Sequence, residues 1–205
     1  MATTTPNYGW PVPTSTDYVK DGATAIEALG DAIDATVFGL PAGLKLISST
    51  TASGSSISVN NCFSATYVNY FIVVSQLISS ATAGLTFKLR ASGTDSSASY
   101  YAVAVDPVYS SGAYSSRTAN NAASVVMPIT QVQTTDRAGG TIFIQQPFAA
   151  QTTTFQFSGQ DAVTNRGINN GSGYHNVSSS YDGFSLILST GTFSGGTIKV
   201  YGLAN

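Results

Sequence analysis

Apolar positions fall three and four residues apart between residues 21 and 39, and two apart or in near-continuous runs beyond residue 41. In the first stretch Ile26, Leu29, Ile33 and Val37 form one stripe, flanked by Ala25, Ala28, Ala32 and Ala35. That spacing predicts a helix of roughly 14 to 16 residues, opened by Thr24 and Glu27 as a capping box and ended at Gly39 and Pro41. A short helix with so narrow a stripe is marginal in water, so it needs something to dock on. Upstream, Pro6, Pro11 and Pro13 bias their predecessors toward extended backbone and remove donors, which predicts an extended arm.

Downstream, the period-two and continuous apolar runs predict strands at Leu44–Ser48, Ser56–Val59, Tyr67–Leu77, Leu85–Ala91, Tyr100–Val105, Ser124–Val132, Thr141–Gln145, Thr153–Phe157, Phe184–Ser189 and Thr197–Tyr201. Clusters of Gly, Ser, Asn and Asp separate them, and no further helix is evident. Many short strands of this kind describe an all-β fold, an antiparallel, jelly-roll-like β-sandwich. The domain reading is therefore an arm plus short helix over 1–40 and a β-sandwich over 41–205. The longest expected loops, at about 92–99, 106–123 and 158–183, would gather at the sandwich ends, where binding concentrates.

Composition sharpens this picture. The 205 residues suffice for one domain with an appendage. Only 9% are charged, against about a quarter in average chains, while 42% are hydrophobic and the net charge is −2. Such a chain folds, and stays in solution through hydroxyls and amides rather than charge. Five of the ten carboxylates (Asp17, Asp21, Glu27, Asp31, Asp34) lie in residues 1–40, so the leader is acidic. The basic residues from Lys45 to Lys199 are scattered singly, which argues against nucleic-acid binding. The single cysteine, Cys62, excludes an intrachain disulfide and reads as a small buried hydrophobe. No apolar run reaches the length of a membrane span and no signal-peptide pattern opens the chain, so no membrane insertion is expected and synthesis in a cytoplasm is.

The candidate chemistry is sparse. The sole histidine, His175, sits in RGINNGSGYHNVSSSYDG. A Ser–His–Asp set with Asp182 stays open, but no Gly-x-Ser-x-Gly elbow occurs. Asp95, Asp106, Asp136, Asp161 and Asp182 fall one per loop and are more simply turn residues than a glycosidase pair. No calcium loop, zinc spacing or phosphate-cradling loop is found, so no cofactor, no metal and no enzymatic activity are expected. Tyrosine is the over-represented aromatic, and Tyr100, Tyr101, Tyr109, Tyr114, Tyr174 and Tyr181 fall in or beside the long loops among Ser, Gly and Asn. That mixture suits recognition of a polar surface such as a glycan, and marks Tyr109, Tyr114, Tyr174, His175 and Asn176 as candidate receptor contacts; capping of sandwich edges or packing between subunits accounts for the tyrosines equally.

The leader TPNYGWPVPTSTDYVKDGATAIEALGDAID resembles the start of bacteriophage virion proteins, in which a Thr-Pro-Asn-aromatic-Gly segment and further prolines lead to Asp-Gly-Ala and a short Ala-rich helix. The segments FSATYVNYFIVVSQL and GLTFKLRASGTDSSASYY look like the β-rich domains of minor tail, tail-fibre and head-appendage proteins, and YDGFSLILSTGTFSGGTIKVYGLAN is similar to their closing strand pair. The resemblance implies a structural component of the virion, assembled in the host cytoplasm. Pro6, Tyr8, Trp10 and Pro11 would anchor it to other virion proteins, and Ile26, Leu29, Ile33 and Val37 would associate in a homotrimer. It leaves open a tail fibre or baseplate appendage that meets a host surface glycan, and a capsid decoration protein or head fibre. A cellular carbohydrate-binding sandwich is the reading outside virions.

Overall fold

The computed structural model describes residues 3–14, 16, 18–39, 43–107, 111–126, 129, 131–160 and 168–203. The chain divides into two compact units, Met1–Ala42 and Gly43–Asn205.

In the first unit, β1 (Thr3–Thr4) pairs antiparallel with β2 (Pro11–Val12), and a 3-10 turn (Val19–Asp21) leads into α1 (Gly22–Gly39). The arm is thus not extended throughout: it folds back on itself between Thr5 and Trp10. The Thr5 N–H donates to the Trp10 carbonyl (2.9 Å), and the Gly9 and Trp10 N–H groups donate to the Thr5 carbonyl and Oγ1, each at 3.0 Å. Gly9, at φ +67°, supplies the left-handed residue that this tight reversal requires. The prolines do set extended backbone, but Asn-Tyr-Gly between them carries turn chemistry. The helix begins at Gly22, ahead of Thr24, so Thr24 and Glu27 lie inside it rather than forming a capping box.

The second unit is an all-β antiparallel sandwich. Its strands are β3 (Leu44–Thr51), β4 (Ser56–Val59), β5 (Asn69–Ser79), β6 (Leu85–Ala91), β7 (Thr94–Asp95), β8 (Tyr100–Pro107), β9 (Tyr114–Ala122), β10 (Val125–Val126), β11 (Ala138–Gln145), β12 (Gln151–Gln160), β13 (Ile168–Ser179), β14 (Gly183–Leu188) and β15 (Phe193–Leu203). Eight of them form one sheet in the order β3-β15-β5-β11-β12-β13-β8-β9. The other sheet runs β10-β6-β14-β4, with β7 paired to β6.

Alternation places the core. Leu85, Phe87 and Leu89 on β6 and Phe184, Leu186 and Leu188 on β14 are buried, as are Tyr70, Ile72 and Val74 on β5 and Phe155 and Phe157 on β12. The ring of Phe87 lies 6.0 Å from that of Phe155 in the opposing sheet, and Phe63 packs edge-on against Tyr70 at 4.7 Å. Every buried apolar side chain among the described residues lies between Ala52 and Val200, so the sandwich owns the whole core.

Two expected loops are largely strand. Residues 114–122 form β9 at the sheet edge, and 168–179 form β13 in its interior. Their inward positions do not read as apolar: Ala119, Arg117 and Ser115 on β9, and Gly171, Gly173 and His175 on β13. Phe155 pairs directly with Gly173 and Phe157 with Gly171, and the two rings lie where side chains on those glycines would stand. The hydrophobic contribution of β13 therefore comes from its neighbour. Of the expected strand 124–132, only Val125–Val126 is strand among the described residues.

Candidate functional site

The outward face of the eight-stranded sheet is built from side chains that alternate with the core. Register aligns them in rows: Tyr201, Phe71, Phe143, Gln156, Ser172, Val103 and Thr118 are successive cross-strand partners. The next row is Lys199, Val73, Thr141, Ser158, Asn170, Val105 and Ser116. Phe71 and Phe143 stand on one side and Val103 and Val105 on the other, with amides and hydroxyls between them. The result is an open trough of about 610 Å³ to which no charged residue contributes.

A second hollow of about 310 Å³ adjoins it, sharing Gln156 and Ser172 and adding Thr154 and Tyr174. Tyr174 stacks on its cross-strand partner Tyr101, with centroids 5.0 Å apart and planes 10° apart. Among the described residues, the side chains of Thr141, Gln156, Ser158, Asn170 and Ser172 exchange no hydrogen bond with another protein group.

The expected receptor contacts separate. Tyr174, 41% exposed, lies at this face, and Tyr114, 76% exposed, shares its parity on β9 opposite Pro107. Asn176 is exposed, its N–H donating to the Ser99 carbonyl (2.9 Å). Tyr109 lies outside the described residues. His175 is no surface contact: it is fully buried, with its ring against Tyr100 and Tyr181 at 4.3 and 5.2 Å. Tyr100 and Tyr181 are likewise buried rather than presented by loops.

The hydrogen bonds of His175 define its state. Nε2 lies 2.9 Å from both the Ala98 carbonyl and Ser96 Oγ, and Nδ1 lies 3.1 Å from the Tyr181 hydroxyl. A carbonyl only accepts, so Nε2 carries the proton and Nδ1 accepts from Tyr181. Ser96 therefore faces a donor, not a base. The Asp182 carboxylate accepts from the Ser92 N–H (2.9 Å), so the Ser–His–Asp set is not assembled. Burial holds the imidazole pKa below its ordinary value. Tyr100 closes the cluster by accepting from the Leu89 N–H (2.8 Å) and donating to the Ser96 carbonyl (3.2 Å), and burial raises its phenol.

Two of the remaining body carboxylates, Asp95 and Asp106, are tied structurally. Arg90 Nη1 meets Asp95 Oδ1 at 2.5 Å and Ser185 Oγ at 2.8 Å, while its Nε donates to Asn60 at 2.9 Å. Arg117 grips the buried Asp106 through Nε and Nη2 at 2.5 and 2.6 Å. Asp136 is exposed, and Asp161 lies outside the described residues. Among the described residues, no group of three or more His, Cys, Asp or Glu could hold a metal ion, and no helix is long and apolar enough to cross a membrane.

In the first unit, the anchoring candidates are brought together. Tyr8 and Trp10 stack at 5.1 Å, and Trp10 Nε1 donates to Thr36 Oγ1 (2.9 Å), which donates to the Ala32 carbonyl (2.8 Å). Pro6 occupies the reversal and Pro11 lies in β2. Ala25, Leu29, Ala32 and Thr36 form the half-buried side of α1, yet no helix residue is buried. Ile26 (66% exposed), Ile33, Val37 and Phe38 face solvent.

Sequence reasoning missed the trough. The signal was present in NYFIVVSQ and TIFIQ, where apolar residues occupy both parities of one strand, as they do when a second face is partly covered.

No protein-family model and no curated protein sequence matches the chain. Among solved structures, 81% of it is similar to β-fructofuranosidase from Schwanniomyces occidentalis complexed with fructosyl-erythritol, at 9% identity and a TM-score of 0.30. The chain spans about a third of that enzyme's length (35%), and a likeness of this size supports no argument about function.

Proposed function

We propose that the chain is a structural protein of a bacteriophage virion: a homotrimeric tail fibre or baseplate appendage, held to the particle by residues 1–42, with its sandwich turned toward the host surface. The observation that carries this reading is the state of α1. It has eighteen residues, none buried, and it leaves Ile26, Ile33, Val37 and Phe38 in water. A unit of about 40 residues cannot bury enough surface to hold such a helix unaided, so the stripe calls for neighbouring subunits and a docking protein. The sandwich needs no such help, because it contains the whole described core. The leader's resemblance to those of virion proteins supplies the setting, and the acidic, proline-bearing arm supplies a directional attachment.

The test compares the full chain with residues 43–205 in particle assembly. The shorter form should be soluble, folded and missing from particles, while the full chain is found on them by immunogold labelling. Incorporation of both forms alike, or of neither, would sink the reading. Copy number per particle separates a tail station from a capsid one, since a shell decoration must be far more numerous.

A further inference from the structure

We propose that the trough on the outward face of the eight-stranded sheet is a binding site for an uncharged saccharide chain. The inference rests on the reading that the sandwich faces the host surface. Its chemistry comes from the trough itself.

The lining combines two features that a carbohydrate needs together. Phe71 and Phe143, half-buried and neighbours in register, offer apolar surface for the C–H face of a sugar ring. Gln156, Ser158, Asn170 and Ser172 stand next to them with side-chain donors and acceptors that no other protein group engages among the described residues. Val103 and Val105, both exposed, close the opposite side. The size lies within the range of small-ligand sites.

The absence of charge selects among ligands. A phosphorylated or sulfated ligand, or a nucleic acid, calls for cations, and none lines either hollow. The basic Arg117 points inward to the buried Asp106. A peptide added as a further strand needs a free sheet edge, whereas these residues lie on strands paired on both sides. A wholly apolar ligand would leave a row of amides and hydroxyls dry and unpaired.

The site is also elongated. The shared residues Gln156 and Ser172 join the two hollows, and the Tyr101–Tyr174 stack adds a second aromatic surface. Tyr114 lies on the same face opposite Pro107, six residues along β8 from Tyr101, which is about 20 Å at strand rise. Aromatic surfaces spaced along a groove suit a chain of several sugar units better than one.

The experiment is titration of the full chain, isotopically labelled, with a panel of neutral oligosaccharides (malto-, cello-, manno- and chito-series), followed by amide shifts. Binding by at least one series should move amides of β5, β11, β12, β13 and β8 and leave those of β6 and β14 in place. Gln156→Ala, an exposed position remote from the core, and Phe143→Ala should each weaken that binding at least tenfold with unchanged circular dichroism. Binding that either variant leaves intact, or shifts elsewhere, overturns the proposal. So does silence across the whole panel, binding confined to acidic glycans, or protection of this face that grows with protein concentration, the mark of a second copy seated there. Particle incorporation of the wild type and of Gln156→Ala is measured alongside: retention of the variant with lost host adsorption supports the trough, loss of the variant alone overturns it because this face then contacts the particle, and absence of the wild type from particles tells against the virion reading instead.

Discussion

Gly171 on β13 and Phe157 on β12 are cross-strand partners, and the Phe157 ring occupies the space a side chain at 171 would fill. A methyl group there would also meet the Val103 carbonyl at 2.6 Å. Gly171→Ala should therefore destabilise the sandwich by about 2 kcal/mol, as overpacking does. Phe157→Ala should cost roughly 3 kcal/mol or more through the cavity it opens. In the double variant the alanine methyl partly fills that cavity, so urea unfolding should give less than the sum of the two losses.

His175 predicts how the sandwich responds to acid. Its pKa is held below the ordinary 6.5, so from pH 6.5 downward the unfolded chain takes up a proton that the folded protein refuses. Stability should be level near neutrality and fall as pH drops from 6.5 toward the folded-state value. Urea midpoints between pH 7.5 and 5 check this. His175→Gln keeps a donor for the Ala98 carbonyl without the titration and should flatten the profile in that window. An equally steep profile in the variant would place the sensitivity elsewhere.

Legibility followed side-chain size. Ser56–Val59 and Leu85–Ala91 are strands at the expected residues because large apolar groups, Ile57, Val59, Leu85, Phe87 and Leu89, mark their buried positions. β13 was unreadable because its inward residues are Gly171, Gly173 and His175, and the rings that complete it belong to β12, whose pairing no local pattern reveals. His175 was misplaced for the same reason: a polar neighbourhood in sequence becomes a buried one when the strand enters the middle of a sheet. The helix was legible from its spacing and the arm's reversal was not, because three prolines outweighed the turn chemistry of Asn7–Gly9. In the trough, Gln156 and Ser158 could be placed opposite the core once Phe155 and Phe157 were read as inward, but the side-by-side arrangement of five strands required the register.

Cys62 should behave as a sensor of global opening. Its thiol is buried, lies 3.8 Å from the Val59 carbonyl, and is pushed up to about 12 by burial. At pH 8 almost no thiolate forms and no reagent reaches it. Labelling by iodoacetamide should be negligible in the native protein and should rise with urea in step with circular dichroism. Fast labelling without denaturant would contradict the packing of this end of the sandwich.

Asp106 and Arg117 join β8 to the edge strand β9. Asp106 is almost wholly buried, so Arg117→Ala leaves a carboxylate without its guanidinium and should cost roughly 3 kcal/mol. Removing both groups relieves that unpaired charge, so Arg117→Ala with Asp106→Ala should be less destabilised than Arg117→Ala alone. Thermal unfolding of the three variants decides it. The reverse order would mean that the pair contributes through packing rather than charge.

The chain holds a single tryptophan, Trp10, so its fluorescence reports on the first unit alone. No described residue of that unit is buried, and its hairpin is tied to α1 through Trp10 Nε1 and Thr36 Oγ1. The sandwich, by contrast, unfolds against a core that runs from Ala52 to Val200. The two transitions should not coincide: at low protein concentration, Trp10 emission should shift to the red at lower urea than the loss of β-sheet circular dichroism. Thr36→Val removes the acceptor and should move the Trp10 transition further down while leaving the sheet transition in place. If association covers Ile26, Ile33 and Val37, raising the concentration should drive the Trp10 transition upward in wild type. Ile26→Asp with Ile33→Asp should abolish that dependence, because charge on the stripe opposes burial whichever neighbour supplies it.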